Sequence, residues 1–155
     1  MQHIESTIHL LLMKMRKTVA VAESCTGGLL SKLLTDIGGS SEYFLLGVVA
    51  YSNKAKEAVL KIPHHLIAKK GAVSEEVAKR MAKSVRKLAK ADFGIGITGM
   101  AGPGGGTLYK PVGTVFIAIH SKDKKICKKF NFTGNRITVR NKAALKALEL
   151  LRVFL

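Results

Sequence analysis

The alternation of short apolar runs with amphipathic segments restricts the fold more than any other feature. Residues 18–22 read TVAVA and residues 93–98 read FGIGIT, and segments with helical apolar spacing lie between them. Continuous apolar runs with β-branched residues are typical of strands that are covered on both faces. Strands that alternate with helices predict a mainly parallel sheet between helical layers. At 155 residues, the chain most simply forms one domain over residues 1–155.

Apolar periodicity predicts five strands and five helices. The strands are expected at residues 18–22, 43–51, 93–98, 112–120 and 126–132. The helices are expected at residues 2–16, 27–38, 52–60, from 74 onward and 137–155, with Pro63 breaking the chain. Ser52 and Ser74 are predicted N-caps, and Val77, Met81, Val85 and Leu88 form the apolar face of the helix after Ser74. The last two strands are close enough to form a hairpin. We therefore expect a single three-layer α/β/α domain with a mixed, mainly parallel sheet of about five strands.

Ligands of such sheets bind beyond the carboxyl ends of the strands. Three segments, at residues 23–28, 51–56 and 98–110, should meet there. The first contains two neighbouring nucleophiles, Ser24 and Cys25, followed by Thr26, Gly27 and Gly28. This turn is either catalytic, or directs its backbone N–H groups at an anion, or is only structural. Neighbouring side chains point in opposite directions, so we expect only one of Ser24 and Cys25 to face the cleft.

The second segment offers a base for a serine nucleophile. A serine hydroxyl needs a base to attack a carbonyl carbon. None of the histidines (His3, His9, His64, His65 and His120) falls in these three segments. Lysine can act as the base where burial or nearby positive charge lowers its pKa, so Lys54 and Lys56 are candidates.

The third segment is rich in glycine, which permits the backbone to approach a ligand closely. A plain flexible loop is the alternative interpretation. The segment lacks the GxxxxGK[ST] pattern of ATP-hydrolysing phosphate loops. No His, Cys and Asp cluster has the spacing of metal ligands, so we expect neither a metal nor a cofactor.

The net charge of +16 favours an anionic partner. The lysines are scattered along the chain, however, and their densest run, SKDKKICKKF, lacks the interleaved aromatic residues of single-strand binding surfaces. We therefore do not expect a nucleic-acid partner. We expect no membrane partner either, because no apolar run approaches the ~20 residues of a membrane span. The positive charges at residues 14–17 follow the first apolar run, whereas in a secretory signal they precede it. The two cysteines are too few for a disulfide scaffold, which is typical of a reducing compartment. A cytoplasmic protein is expected.

Seven short motifs occur in order along the chain. They are AESCTGG at 22–28, GSSEYF at 39–44, YSNKAK at 51–56, GAVSEEVA at 71–78, TGMAGPGGGT at 98–107, KPVGTV at 110–115 and NRITVR at 135–140. On these motifs the sequence resembles the CinA C-terminal domain family, the nicotinamide-nucleotide amidases. The resemblance extends over nearly the whole chain and implies a three-layer α/β/α fold.

The resemblance also implies an activity, the hydrolysis of nicotinamide mononucleotide to nicotinate mononucleotide and ammonia by a Ser/Lys mechanism. Ser24 would be the nucleophile, Lys56 the base and Tyr51 an assisting hydroxyl. The implied substrate-binding residues are Thr26, Gly27, Gly28, Thr98, Gly99, Gly104, Gly105, Arg136 and Arg140, of which the two arginines would contact the phosphate. A homo-oligomer is compatible with this prediction. The alternative is a non-catalytic nucleotide- or nucleic-acid-binding regulatory module linked to competence or DNA damage.

Overall fold

A computed structural model describes residues 3–155. Five strands form one sheet: β1 Val19–Glu23, β2 Phe44–Val49, β3 Phe93–Gly99, β4 Thr114–His120 and β5 Lys125–Asn131. Six α-helices cover it: α1 Ile4–Met15, α2 Leu29–Thr35, α3 Asn53–Leu60, α4 His64–Lys70, α5 Glu75–Ala89 and α6 Arg136–Phe154. A short 3-10 helix spans Ser40–Glu42.

The sheet is mixed, and four of its five strands run in one direction. The strand order is β2-β1-β3-β4-β5. β1 pairs in parallel with β2 and β3, whereas β4 is antiparallel to both of its neighbours. The hairpin of β4 and β5 therefore restores the common direction in β5. This arrangement confirms the predicted fold class.

Both faces of the sheet are covered, which explains why β1 is apolar at consecutive positions. Val19 and Val21 pack in the core beneath α1, α2 and α6, while Ala20 and Ala22 pack in the core beneath α3, α4 and α5. All of β1 is consequently buried. On the second face α5 lies very close to β3, since a Cβ atom at Gly96 would stand 2.4 Å from the Ala78 carbonyl oxygen.

The predicted N-caps at Ser52 and Ser74 are confirmed. The Ser52 hydroxyl accepts the Ala55 N–H at 3.0 Å, and the Ser74 hydroxyl accepts the Val77 N–H at 3.3 Å. Asn135 caps α6 in the same way through the Thr138 N–H, at 2.9 Å. These caps fix the first residues of α3, α5 and α6.

Other predicted boundaries shift or miss an element. The first predicted helix began at residue 2, which lies outside the described residues. Pro63 was expected only to break the chain, but it is the N-cap of α4, which the sequence analysis did not predict. Proline is compatible with this place because the first helical turn needs no N–H from it. Leu88, expected on the apolar face of α5, is 56% exposed.

Candidate active site

The turn after β1 is tight and depends on its two glycines. Gly27 and Gly28 have φ angles of +58° and +100°, in the left-handed region that other residues rarely adopt. A Cβ atom on Gly27 would also lie 2.9 Å from Nη2 of Arg140. The Ser24 N–H donates to the Ile97 carbonyl at 3.0 Å, which ties the turn to β3. Ser24 is thereby held at the carboxyl end of β1, beside β3.

Glu23 anchors the same turn, and sequence reasoning missed it. Its fully buried carboxylate accepts the N–H groups of Gly28 at 3.1 Å, Leu30 at 3.0 Å and Ser31 at 2.8 Å. It also accepts the Ser31 hydroxyl at 2.7 Å. The N–H groups at the start of α2 therefore bind a carboxylate of the chain itself, and in this structure the Gly28 N–H already has a partner. An acid at the last position of a wholly buried strand is the signal that could have identified Glu23.

Lys56 lies directly against Ser24. Its Nζ is 3.0 Å from Ser24 Oγ, 2.9 Å from the Ala50 carbonyl oxygen and 3.1 Å from the Tyr51 carbonyl oxygen. The side chain is 1% exposed, and no carboxylate among residues 3–155 forms an ion pair with it. The Ser52 cap positions Lys56 in the first turn of α3, from which its side chain reaches Ser24.

Burial lowers the pKa of Lys56, because the charged ammonium loses its hydration. The three oxygen atoms around Nζ can accept all three N–H groups of an ammonium, and they are also compatible with the neutral amine. The two N–H groups of the neutral amine can donate to the carbonyls of Ala50 and Tyr51, which leaves the lone pair directed at the Ser24 hydroxyl. In that state the Ser24 O–H donates to Nζ, which is the arrangement of a nucleophile and its base.

Cys25 has no comparable partner. Burial raises the pKa of its thiol to about 12, so at neutral pH the sulfur is protonated and weakly nucleophilic. Cys25 packs in the core beneath α6 but also contributes to the wall of the cleft that contains Ser24. Of these two neighbouring side chains, only that of Ser24 contacts Lys56.

The three segments expected at the carboxyl ends of the strands meet in one cleft of about 260 Å³. Tyr51, Asn53, Ala72 and Val73 form one side, and the start of the glycine-rich loop forms the other. The predicted site residues in its wall are Ser24, Lys56, Tyr51, Thr98, Gly99, Gly104 and Arg136. Thr26, Gly27, Gly28, Gly105 and Arg140 lie outside this wall. Asn53 is a wall residue that the sequence analysis did not single out.

Arg136 and Tyr51 are bonded to each other across the cleft mouth. Arg136 donates from Nη2 to the Tyr51 hydroxyl and from Nη1 to the Gly102 carbonyl, both at 2.7 Å. The Tyr51 ring is largely exposed, and its hydroxyl makes no hydrogen bond to Ser24 or Lys56 among the residues described. Its carbonyl oxygen, not its hydroxyl, is what contacts Lys56.

Arg140 has a different environment from Arg136. Its Nε donates to the Cys25 carbonyl at 3.1 Å and its Nη2 donates to the Thr26 carbonyl at 3.0 Å. Arg140 thus ties α6 to the turn that carries Ser24. The structure brings only Arg136 of the predicted arginine pair to the cleft.

No group of three or more His, Cys, Asp or Glu side chains within residues 3–155 is arranged to hold a metal ion. No helix in that range is both long enough and apolar enough to span a bilayer.

Comparison with known proteins shows where this arrangement belongs. The model of the CinA C-terminal domain family matches residues 1–155. A CinA-like protein from Thermotoga maritima is 47% identical over 154 residues, which cover 99% of this chain and 38% of that protein. A CinA-like protein from Desulfotalea psychrophila is 50% identical over 144 residues, 93% of this chain and 35% of that protein. The chain therefore spans less than two fifths of the length of these relatives.

Solved structures agree with the sequence comparisons. A competence-damaged protein (CinA) superfamily protein from Escherichia coli superimposes with a TM-score of 0.94 at 34% identity, covering 98% of this chain and 88% of that one. A competence/damage inducible protein from Agrobacterium tumefaciens gives a TM-score of 0.92 at 34% identity, covering 97% and 94%. This chain belongs to the CinA C-terminal domain family.

Proposed function

We propose that the chain is an amidohydrolase that converts nicotinamide mononucleotide to nicotinate mononucleotide and ammonia. The observation that carries the proposal is the 3.0 Å contact between Lys56 Nζ and Ser24 Oγ, made by a buried lysine without a carboxylate partner among residues 3–155. The names of the relatives specify no reaction. The substrate is taken from the motif resemblance and from the chemistry of the cleft.

The proposed reaction has two halves, both served by Lys56. Ser24 Oγ attacks the amide carbon while its proton passes to the neutral Lys56 amine. The resulting ammonium then protonates the departing nitrogen, the C–N bond breaks, and ammonia leaves an ester on Ser24. Water attacks that ester with Lys56 again taking a proton, the Oγ–C bond breaks, and the proton returns to Ser24. No external acid or base is required.

The backbone beside Ser24 offers a donor for the charge on the carbonyl oxygen. The Cys25 N–H follows the nucleophile directly and donates to no backbone oxygen within residues 3–155. The N–H in this position often stabilises the oxyanion in hydrolases with a serine nucleophile. This use of Cys25 needs its backbone and not its thiol.

Arg136 supports a phosphorylated substrate. Its guanidinium is held at the cleft by the Tyr51 hydroxyl and the Gly102 carbonyl, and its remaining N–H groups are available to a phosphate. It is also the first residue of α6, whose N-terminus favours anions. We therefore expect the mononucleotide to be a far better substrate than free nicotinamide.

The test is ammonia release by the purified chain incubated with nicotinamide mononucleotide, with nicotinate mononucleotide identified by chromatography. Ser24→Ala should lower kcat at least ~10³-fold, whereas Cys25→Ala, the matched neighbour, should keep most of the activity. Binding of the mononucleotide without turnover by the wild-type chain would instead support the non-catalytic binding module. Equal rates on nicotinamide and on its mononucleotide would contradict the role of the phosphate.

A further inference from the structure

A second charged region lies at the other end of the sheet from Ser24. Two clefts of about 450 and 350 Å³ open beside the first residue of β3 and the last residue of β4, roughly 20 Å from the active-site end of these strands. They lie on either side of the turn between β4 and β5. Six of their cationic residues define what we call the basic groove: Lys83, Arg86, Lys90, Lys122, Lys124 and Lys125.

Half of these cations belong to α5 and its C-cap. Lys83 and Arg86 are three residues apart, the spacing that places side chains on the same side of a helix, and Lys90 is the residue that caps the end of α5. From Lys83 to Lys90 the row covers eight residues, or roughly 10 Å. Lysines at the β4–β5 turn line the same two clefts.

The positive charge of the basic groove exceeds the negative charge of the acids in its walls. Within residues 3–155, none of its six cations forms an ion pair. Of the three acids in the cleft walls, Asp92 is paired with Lys17 and Glu76 with Lys70, which leaves Asp123 alone against the six cations. His120, which lines the second cleft, has a lowered pKa because it is partly buried and lies near Arg86, Lys83 and Lys125. A local excess of positive potential therefore exists here.

An extended row of cations suits a polyanion better than a single phosphate group. A duplex carries one phosphate per 3.4 Å along each strand, so a row of roughly 10 Å faces about three phosphates of one strand. The aromatic residues of the groove do not offer a stacking platform, since Phe93 and Phe154 pack edge to face against each other. The contacts available are with the backbone and not with unstacked bases.

We propose that the basic groove binds the phosphate backbone of a nucleic-acid duplex without sequence preference. The cations come from segments of the chain about thirty residues apart, 83–90 and 122–125, which only the fold brings together. For this reason the scattered lysines did not predict a nucleic-acid partner. The proposed surface is separate from the cleft that contains Ser24 and does not depend on amidase activity.

The test is fluorescence anisotropy of a labelled 20-base-pair duplex, titrated with the full chain between 50 and 200 mM salt. The variant Lys83→Gln/Lys125→Gln removes two groove cations, and Lys14→Gln/Lys142→Gln removes two exposed cations from the helices on the other face of the sheet. Both change the net charge equally. We expect the groove variant to weaken binding at least 10-fold and to reduce the slope of log K against log salt by about 1.8, while the control changes affinity less than 3-fold.

Several outcomes would overturn the proposal. Equal weakening by both double variants would assign binding to net charge alone. No measurable binding at 50 mM salt, or tighter binding to a single strand or to phosphatidylglycerol vesicles than to the duplex, would also contradict it. Ammonia release from nicotinamide mononucleotide, measured on the same variants, should be unchanged, so failure of this proposal is distinguishable from failure of the proposed amidase.

Discussion

Replacing Glu23 with glutamine should destabilise the protein although the two side chains have nearly the same shape. Oε2 of Glu23 accepts two backbone N–H groups, from Gly28 and Leu30, and Oε1 accepts the N–H and the hydroxyl of Ser31. A glutamine amide has only one accepting oxygen. Its best orientation keeps that oxygen on Gly28 and Leu30 and turns the NH₂ group toward Ser31, whose hydroxyl can rotate to accept.

The cost of Glu23→Gln follows from this count. The Ser31 N–H would lose its partner, and an unsatisfied buried N–H costs about 1–3 kcal/mol. The two bonds that remain would change from charge-assisted to neutral, at roughly 1 kcal/mol each, partly offset because a buried charge is removed. We expect a loss of about 2–4 kcal/mol in the free energy of unfolding, which for a chain of this size lowers Tm by roughly 5–15 °C.

The assay is thermal and urea unfolding followed by circular dichroism, with Ser31→Ala as the matched control. Ser31→Ala removes one of the four bonds to the carboxylate and leaves all three N–H groups paired, so it should cost only about 1–2 kcal/mol. A Tm for Glu23→Gln within about 1 °C of the wild type would refute the role given to the carboxylate. So would a larger loss for Ser31→Ala than for Glu23→Gln.

Three further predictions concern the rate. Activity should rise with pH as Lys56 loses its proton, because only the neutral amine can take the Ser24 proton, and this rise should lie below the usual lysine pKa of about 10.5. Lys56→Met should remove the rise with pH and most of the rate. Lys54→Met, at an exposed lysine nearby, should preserve the rate and its pH dependence. Arg136→Lys should raise KM for nicotinamide mononucleotide by about tenfold. Arg140→Lys should instead lower kcat and Tm, because it loosens the turn that carries the nucleophile. A rise in KM alone for both variants would show that both arginines bind phosphate. A chelator should leave steady-state ammonia release unchanged, since Lys56 supplies the base, and loss of activity restored by zinc or manganese would contradict this.

The sequence predicted the parts of the fold that depend on local pattern. The strand at 18–22 is recognisable because burial on both faces requires consecutive apolar residues, and the caps at Ser52 and Ser74 are recognisable because serine satisfies N–H groups locally. α4 was not predicted because its seven residues, which follow a proline, are too few to show a helical period of apolar residues.

The active site was predictable as a set of segments but not as a set of contacts. The segments meet because parallel strands end at one edge of the sheet. Glu23, by contrast, binds N–H groups five to eight residues ahead of it, and Arg140 binds carbonyls more than a hundred residues away. Such contacts depend on how the helices dock, which periodicity does not specify.

The central claim is that Ser24, activated by Lys56, carries the acyl group during turnover. The most direct measurement is acid quenching of the enzyme during its reaction with nicotinamide mononucleotide, followed by peptide mass spectrometry. We predict an added mass, equal to that of the nicotinate mononucleotide acyl group, on Ser24 in the peptide that contains residues 22–28, and no adduct in Ser24→Ala. An adduct on Cys25, or ammonia release by Ser24→Ala at the wild-type rate, would contradict the account.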